Sequence, residues 1–189
     1  LKFSRAERPD RFVLCSMAAG LPISRIQELA GEDCPVIRIM PNTPASVGEG
    51  MIQYCSSHVT AEEEAEFCKL MAPAGRLDPV PETLIDAASC VSGCGPAWVY
   101  QFIEALADGG VACGLPRAKA QEYAAQMVLG SAKLVLESGQ HPGALKDAVC
   151  SPGGSTIQGV RVLEERGLRG AVMDAVVASY NKTKEMGKG

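Results

Sequence analysis

The sequence predicts an α/β segment followed by an all-α segment, and three observations carry that prediction. Over the first 80 residues, short apolar runs alternate with amphipathic and turn-rich stretches. After Pro81 no further strand-like run occurs. Residues 96–113 then form a stretch that is apolar on almost every side of a helix. Strands alternating with helices argue for an α/β sheet, whereas long segments of 3.6-residue period argue for packed helices.

The elements follow in chain order. "RFVLCSM" (11–17) is a continuous apolar run suited to a buried strand, and "PISRIQELAG" (22–31) is a short amphipathic helix. "PVIRIM" (35–40) and "MIQYCS" (51–56) are strand-like and are separated by the turn-rich "PNTPASVGEG". Thr60 and Glu63 have the spacing of a capping box, so a helix should run from there to about Met71. "GRLDPV" (75–80) is the last strand. "TLIDAASCVS" reads as a short helix, and Pro96 stands at a favoured first helical position. From there to Cys113 the helix would be about 27 Å long at ~1.5 Å per residue. Trp98, Val99, Phe102, Ile103, Leu106 and Val111 cover most of its surface, and Gln101, Glu104 and Asp108 leave only a narrow polar stripe. Such a helix must be covered on most sides. The remaining residues of this half are too few to do so, which predicts a partner subunit. Further helices are expected at 117–137, 142–149, 156–166 and 168–186.

Composition narrows the functional classes. The net charge is −4 and no Lys/Arg cluster occurs, so there is no electrostatic footprint for nucleic acid. Lys182, Lys184 and Lys188 read as a solvated helix tail. The longest uncharged stretch, Ala87–Ile103, is broken by Gly93, Gly95, Pro96 and serines, so no membrane span is expected. In "LKFSRAERPDR" charges recur where a signal peptide needs an apolar core. The eight cysteines are scattered and include no C-x-x-C pair, and the chain is long enough to need no disulfide framework. With only His58 and His141 as further ligands, no metal site is expected. Reduced thiols in a cytoplasmic protein are the expectation.

Few residues offer chemistry. Glu62, Glu63, Glu64 and Glu66 read as surface charge on a capping turn. Neither histidine has the setting of a catalytic base, and His141, before Pro142, suits a helix cap. Gly48-Glu-Gly50 and Gly93-Cys-Gly95 both lack the third glycine of a G-x-G-x-x-G phosphate loop. "CSPGGST" (150–156) is more telling. It opens a helix, where unpaired amides carry partial positive charge. Gly153 and Gly154 allow close approach to the backbone, and Ser151, Ser155 and Thr156 add neutral hydroxyls. A small anion such as a carboxylate fits this start; an ordinary N-cap with glycines for the turn fits it equally. Lys146 and Asp147 nearby are either surface charges or supports of the loop.

Several stretches together resemble one family. "RIMPNTPASVGEG", "LIDAASCVSGCGPAWVYQFIEALADGGVACGLPR", "HPGALKDAVCSPGGSTIQGVRVLE" and "SMAAG" (16–20) are similar, in order, to pyrroline-5-carboxylate reductases, and the D-x-V-x-S-P-G-G-x-T pattern is highly specific. The resemblance implies an N-terminal Rossmann domain that binds NADPH or NADH, and a helical domain that interlocks with its twin as a homodimer, often assembled further into decamers. Residues 1–80 would be the later part of the Rossmann-type sheet, with the Gly-rich first turn lying before Leu1. Residues 81–189 would be the dimerisation and substrate-binding domain.

By the same resemblance, Met17, Ala18 and Ala19 border the nicotinamide–ribose part of the cofactor, with Met40, Pro41 and Asn42 nearby. Val149, Ser151, Gly153, Gly154, Ser155 and Thr156 hold the substrate, and Glu82 edges the pocket. Thr156 is the residue implied in catalysis, through its hydroxyl at the imine nitrogen. Ala148 stands where some relatives have Asn, Gly139 where some have Glu, and Trp98 replaces the usual Tyr, so those contacts are not carried over. The expected reaction is reduction of 1-pyrroline-5-carboxylate to L-proline. The alternatives are a dimerisation and substrate-binding module without catalysis, and a related reductase of another small acid.

Overall fold

A computed structural model describes residues 11–31 and 33–187. The charged stretch 1–10, read above as unlike a signal peptide, and Lys188 lie outside the described residues. The chain forms two compact units. One contains the described residues through Pro96 together with those from Ala175; the other runs Ala97–Asp174.

The first unit is built on four strands, β1 (Leu14–Ser16), β2 (Val36–Met40), β3 (Gly50–Ser57) and β4 (Gly75–Pro79), lying side by side in that order. β1 and β2 are parallel, β2 and β3 antiparallel, and β3 and β4 parallel. The connections explain the mixture. Helix α1 (Ile23–Ala30) carries the chain from β1 to β2, and α2 (Ala61–Met71) carries it from β3 to β4, whereas only a 3-10 turn at Thr43–Val47 separates β2 from β3. A parallel return needs a crossover, and an antiparallel one needs only a turn. The strand expected over 11–17 is confined to Leu14–Ser16, paired with Val36–Arg38, because the chain turns after Ser16 while β2 runs on to Met40.

β2 is buried along its whole length. Its alternate side chains serve two cores, as strand geometry requires. Ile37 and Ile39 join Ile52, Tyr54 and Phe67 against α2, with the Tyr54 and Phe67 rings edge to face at 5.3 Å. Val36 joins Ile23, Ile26 and Cys34 against α1. At the start of β3, Gly50 pairs with Gly75. A Cβ at Gly75 would stand 2.1 Å from the Gly50 carbonyl oxygen, so this backbone approach excludes any side chain.

The capping box at α2 forms as its spacing predicts: the Glu63 amide donates to Thr60 Oγ1, and the Thr60 amide to Glu63 Oε2. The reading of these acids as surface charge is corrected for two of them. Glu63 also receives Arg11, and Glu64 accepts from Tyr54 Oη at 2.9 Å.

Helix α3 (Glu82–Ser92) lies on the sheet unit and buries Ile85, Asp86 and Cys90. It is followed by α4 (Gly95–Ala112), α5 (Arg117–Ser138), α6 (Pro142–Ala148), α7 (Ser155–Glu165) and α8 (Leu168–Met186). The last part of α8 belongs to the sheet unit. There Lys184 Nζ reaches Asp86 Oδ2 at 3.4 Å and Thr183 Oγ1 lies 3.8 Å from Cys90 Sγ, so Lys184 is not the merely solvated tail residue expected. In the helical unit the buried apolar residues are all alanines, at 107, 120 and 124. Phe102 and Leu106 of α4 remain 38% and 37% exposed, which leaves the apolar helix uncovered within one chain, as its composition predicts. No helix among the described residues is long and apolar enough to cross a membrane.

Candidate functional site

Two groups of residues carry the expected site, one in each compact unit. The first follows from strand direction. Because β1 and β2 are parallel neighbours, their carboxyl ends lie on the same edge of the sheet. Met17, Ala18 and Ala19 leave the end of β1, and Met40, Pro41 and Asn42 close the end of β2. In open α/β sheets, ligands bind outside such carboxyl ends. Ala18 donates its amide to Ser16 Oγ at 3.3 Å, and Leu21 donates to the Ala18 carbonyl, which folds the turn tightly back. Met17 is 66% exposed there, whereas Met40 is buried.

Asn42 is held at both ends of its amide. Its Nδ2 donates to the Ser92 carbonyl at 3.0 Å, and its Oδ1 accepts from the Met51 amide at 3.0 Å. Ser92 Oγ in turn donates to Gln53 Oε1 at 2.9 Å.

Behind these turns lies a buried charge cluster that sequence reasoning missed. Arg38, in the middle of β2, is 2% exposed and donates through Nη2 to Asp86 Oδ1 at 2.6 Å. Its Nη1 stands 3.6 Å from Glu82 Oε1. The visible signal was the Arg inside the apolar run "PVIRIM", since a charge on a fully buried strand requires a partner. Arg38 Nε is buried without a hydrogen-bond partner among the described residues. Cys55, opposite Arg38 in the register, has its thiol pushed up to about 11 by burial and secondarily by the Glu82 charge, so it stays protonated.

Glu82 was expected to edge the substrate pocket. The structure gives its carboxylate a definite bond: Oε1 accepts from the Ile23 amide at 2.6 Å, at the start of α1. The N-cap of α1 is Pro22, which supplies no side-chain cap, so Glu82 satisfies an orphan amide from 59 residues away. Glu82 also lines an open groove of about 660 Å³ with Ile23, Ser24, Gln27 and Cys55.

The second group is the loop between α6 and α7. His141 caps α6, its Nδ1 accepting from the Gly143 amide at 3.0 Å, as expected. The chain then turns through Val149 and Cys150, whose amides donate to the Lys146 and Asp147 carbonyls. The side chains of Lys146 and Asp147 pair with each other at 2.7 Å on the surface. Gly153 has φ +69°, and Gly154 donates to the Ser151 carbonyl at 3.0 Å. A Cβ on Gly154 would lie 2.4 Å from Ser151 Oγ, so a side chain there would require the Ser151 hydroxyl to rotate away. Helix α7 starts at Ser155, one residue earlier than expected, with Gly154 as N-cap and no side-chain cap bond. Thr156 is therefore inside the first turn and is not the cap. Ser155 and Thr156, both in the first turn, are exposed, and first-turn amides have no partner within their own helix. An uncapped helix start of this kind accepts an anion at its amides and a second polar atom at a neighbouring hydroxyl. Among the described residues no group of three or more His, Cys, Asp or Glu side chains is gathered as a metal would require.

A family model of pyrroline-5-carboxylate reductase dimerisation matches residues 82–186. The pyrroline-5-carboxylate reductase of Escherichia coli (strain K12) is 46% identical over 177 residues, covering 93% of this chain and 66% of that protein. The enzyme of the same name from Synechocystis is 47% identical over 186 residues, covering 98% and 69%. Among solved structures, pyrroline carboxylate reductase of Plasmodium falciparum with NADP bound superposes with a TM-score of 0.88 at 39% identity, over 93% of this chain and 70% of that one. The 1-pyrroline-5-carboxylate reductase of Streptococcus pyogenes gives 0.87 at 38%. The chain thus spans about two thirds of the length of the relatives it matches.

Proposed function

Because the chain belongs to the pyrroline-5-carboxylate reductase family, we propose that the protein reduces 1-pyrroline-5-carboxylate to L-proline, the last step of proline biosynthesis. The observation that carries this reading is the uncapped start of α7 behind Gly153 and Gly154. It offers amides to a carboxylate and, one residue into the helix, a hydroxyl to a ring nitrogen.

In this reading the substrate carboxylate is held by the amides of Ser155 and Thr156, the Gly154 amide being engaged by the Ser151 carbonyl, and Val149 and Ser151 line the loop. Thr156 donates its hydroxyl hydrogen toward the imine nitrogen, orienting the C=N bond and stabilising the nitrogen as it becomes an amine. The turns Met17–Ala19 and Met40–Asn42 fit a nicotinamide cofactor, since they leave parallel strands on one edge with an exposed Met17 and a tightly folded backbone. NADPH or NADH, when bound there, would supply the hydride to the C=N carbon, and the nitrogen takes its proton from water. The chain's share is orientation and polar contact.

The uncovered apolar face of α4 supports a homodimer formed through the helices after residue 82, with higher assembly of dimers open to it. The cysteines are all free thiols, which fits a cytoplasmic enzyme.

Steady-state kinetics on the full-length gene product test the reading. Thr156→Val keeps the β-branch and removes the hydroxyl; kcat/KM for 1-pyrroline-5-carboxylate should fall roughly 10²–10³-fold. Melting should hardly change, because Gly154 and not Thr156 caps α7. Ser151→Ala should do less, since the amides remain. Normal turnover with a lowered melting temperature in Thr156→Val would make the loop purely structural and overturn the substrate assignment.

A further inference from the structure

The two turns assigned to the cofactor edge close locally through the Ala18, Leu21 and Ala45 amides, but their prolines leave gaps in that bonding. Pro41 has no amide to donate, and the turn after β1 runs into Pro22, which leaves α1 without a side-chain cap. Both turns are also tied to one helix. The first turn of α3 supplies Glu82, whose carboxylate takes the Ile23 amide at 2.6 Å. The last residue of α3, Ser92, supplies the carbonyl that takes Asn42 Nδ2 at 3.0 Å. Between them Asp86 is fastened to the sheet through Arg38 at 2.6 Å. The two tethers are ten residues apart, about 15 Å along a rigid helix at ~1.5 Å per residue.

We infer that α3 is a spacer that sets the separation of the two cofactor turns, and that Asn42 and Glu82 are positioning residues for hydride transfer rather than ligands. The inference rests on the function proposed above, and it departs from the roles the resemblance implies for these two residues. Both ends of the Asn42 amide are already engaged by the protein, at Ser92 and at Met51. The Glu82 carboxylate is likewise engaged by α1 and flanked by the Arg38 guanidinium. A ligand residue keeps its polar atoms for the ligand; these two give theirs to the frame. A shift of the turns by a fraction of an ångström leaves contact area intact but spoils the approach of the reacting carbons.

The test uses the full-length protein with Asn42→Ala, Glu82→Ala and Glu82→Gln. For both alanine variants kcat should fall about 10- to 100-fold. The primary isotope effect with 4-deuterated NADPH should rise. The NADPH Kd from fluorescence titration and the KM for 1-pyrroline-5-carboxylate should stay within about threefold. Glu82→Gln keeps a carbonyl acceptor for the Ile23 amide and should restore most of kcat.

Hydrogen exchange reads the tethers without turnover: the Ile23 amide should exchange roughly tenfold faster in Glu82→Ala, and the Met51 amide in Asn42→Ala. A tenfold weaker NADPH Kd with kcat unchanged in Asn42→Ala would make Asn42 a ligand and overturn the inference. So would a raised substrate KM in both Glu82 variants, or a lowered melting temperature with normal kinetics. Unchanged exchange at Ile23 and Met51 overturns it too. Wild-type protein that binds NADPH but reduces no 1-pyrroline-5-carboxylate would instead sink the proposed reaction, and the exchange and Kd comparisons would still decide the roles of Asn42 and Glu82.

Discussion

Arg38 and Asp86 meet at 2.6 Å inside the sheet unit, 48 residues apart in the chain, and Arg38 is almost wholly buried. The pair joins the centre of β2 to the middle of α3. Lys184, from the end of α8, adds a second cation on the other oxygen of Asp86, and that carboxylate in turn raises the Lys184 pKa.

Removing Asp86 leaves the buried Arg38 only the more distant Glu82 carboxylate, at 3.6 Å. Asp86→Ala should lower unfolding free energy by about 3–5 kcal/mol. Asp86→Asn keeps a neutral acceptor and should cost less. Lys184→Ala should cost only about 0–1 kcal/mol, because its side chain is 47% exposed and screened. Urea unfolding of the three variants checks the order; an Asp86→Ala loss below about 1 kcal/mol would show that water replaces the carboxylate at little cost.

Glu63 contributes to the acid side of the stability curve. The Glu63 carboxyl is drawn from its ordinary value of 4.5 to about 2, first by the Arg11 side chain and then by the Thr60 amide. A folded pKa below the unfolded one stabilises the fold fully above pH 4.5, and that contribution is lost as pH falls toward about 2. A carboxyl-carbon NMR titration should show a midpoint near 2 in the wild type. In Arg11→Ala the midpoint should move back toward 4.5, because the first cause is gone. No movement would assign the shift to the capping box alone.

Phe102 and Leu106 sit half-exposed on a helix with few polar residues. The chain should therefore sediment as a dimer at micromolar concentration, and Phe102→Asp should yield monomer with a lower melting temperature. Burying an apolar side chain of this size contributes about 1.5–3 kcal/mol per subunit, and a buried unpaired carboxylate reverses that gain. A well-folded wild-type monomer would contradict this.

Local features of this protein were determined by the sequence itself. The capping box at Thr60 and Glu63, the cap at His141, the apolar surround of α4 and the glycine turn before α7 all depend on residues within a turn or two of each other. Spacing and residue type therefore suffice to specify them. Helix α7 starts one residue before the position its hydroxyls indicate, because Gly154 caps it without a side chain. The partners of Arg38, Glu82, Asn42 and Lys184 were decided only by the tertiary structure. Asp86, Ile23, Ser92 and again Asp86 lie 48, 59, 50 and 98 residues away from them, and no periodicity links such positions. The run "PVIRIM" announced that a buried charge needed an answer, but not that α3 would give it. An ion pair or a borrowed helix cap is chosen by which elements the fold packs together, and its energy depends on burial that exists only after they have packed.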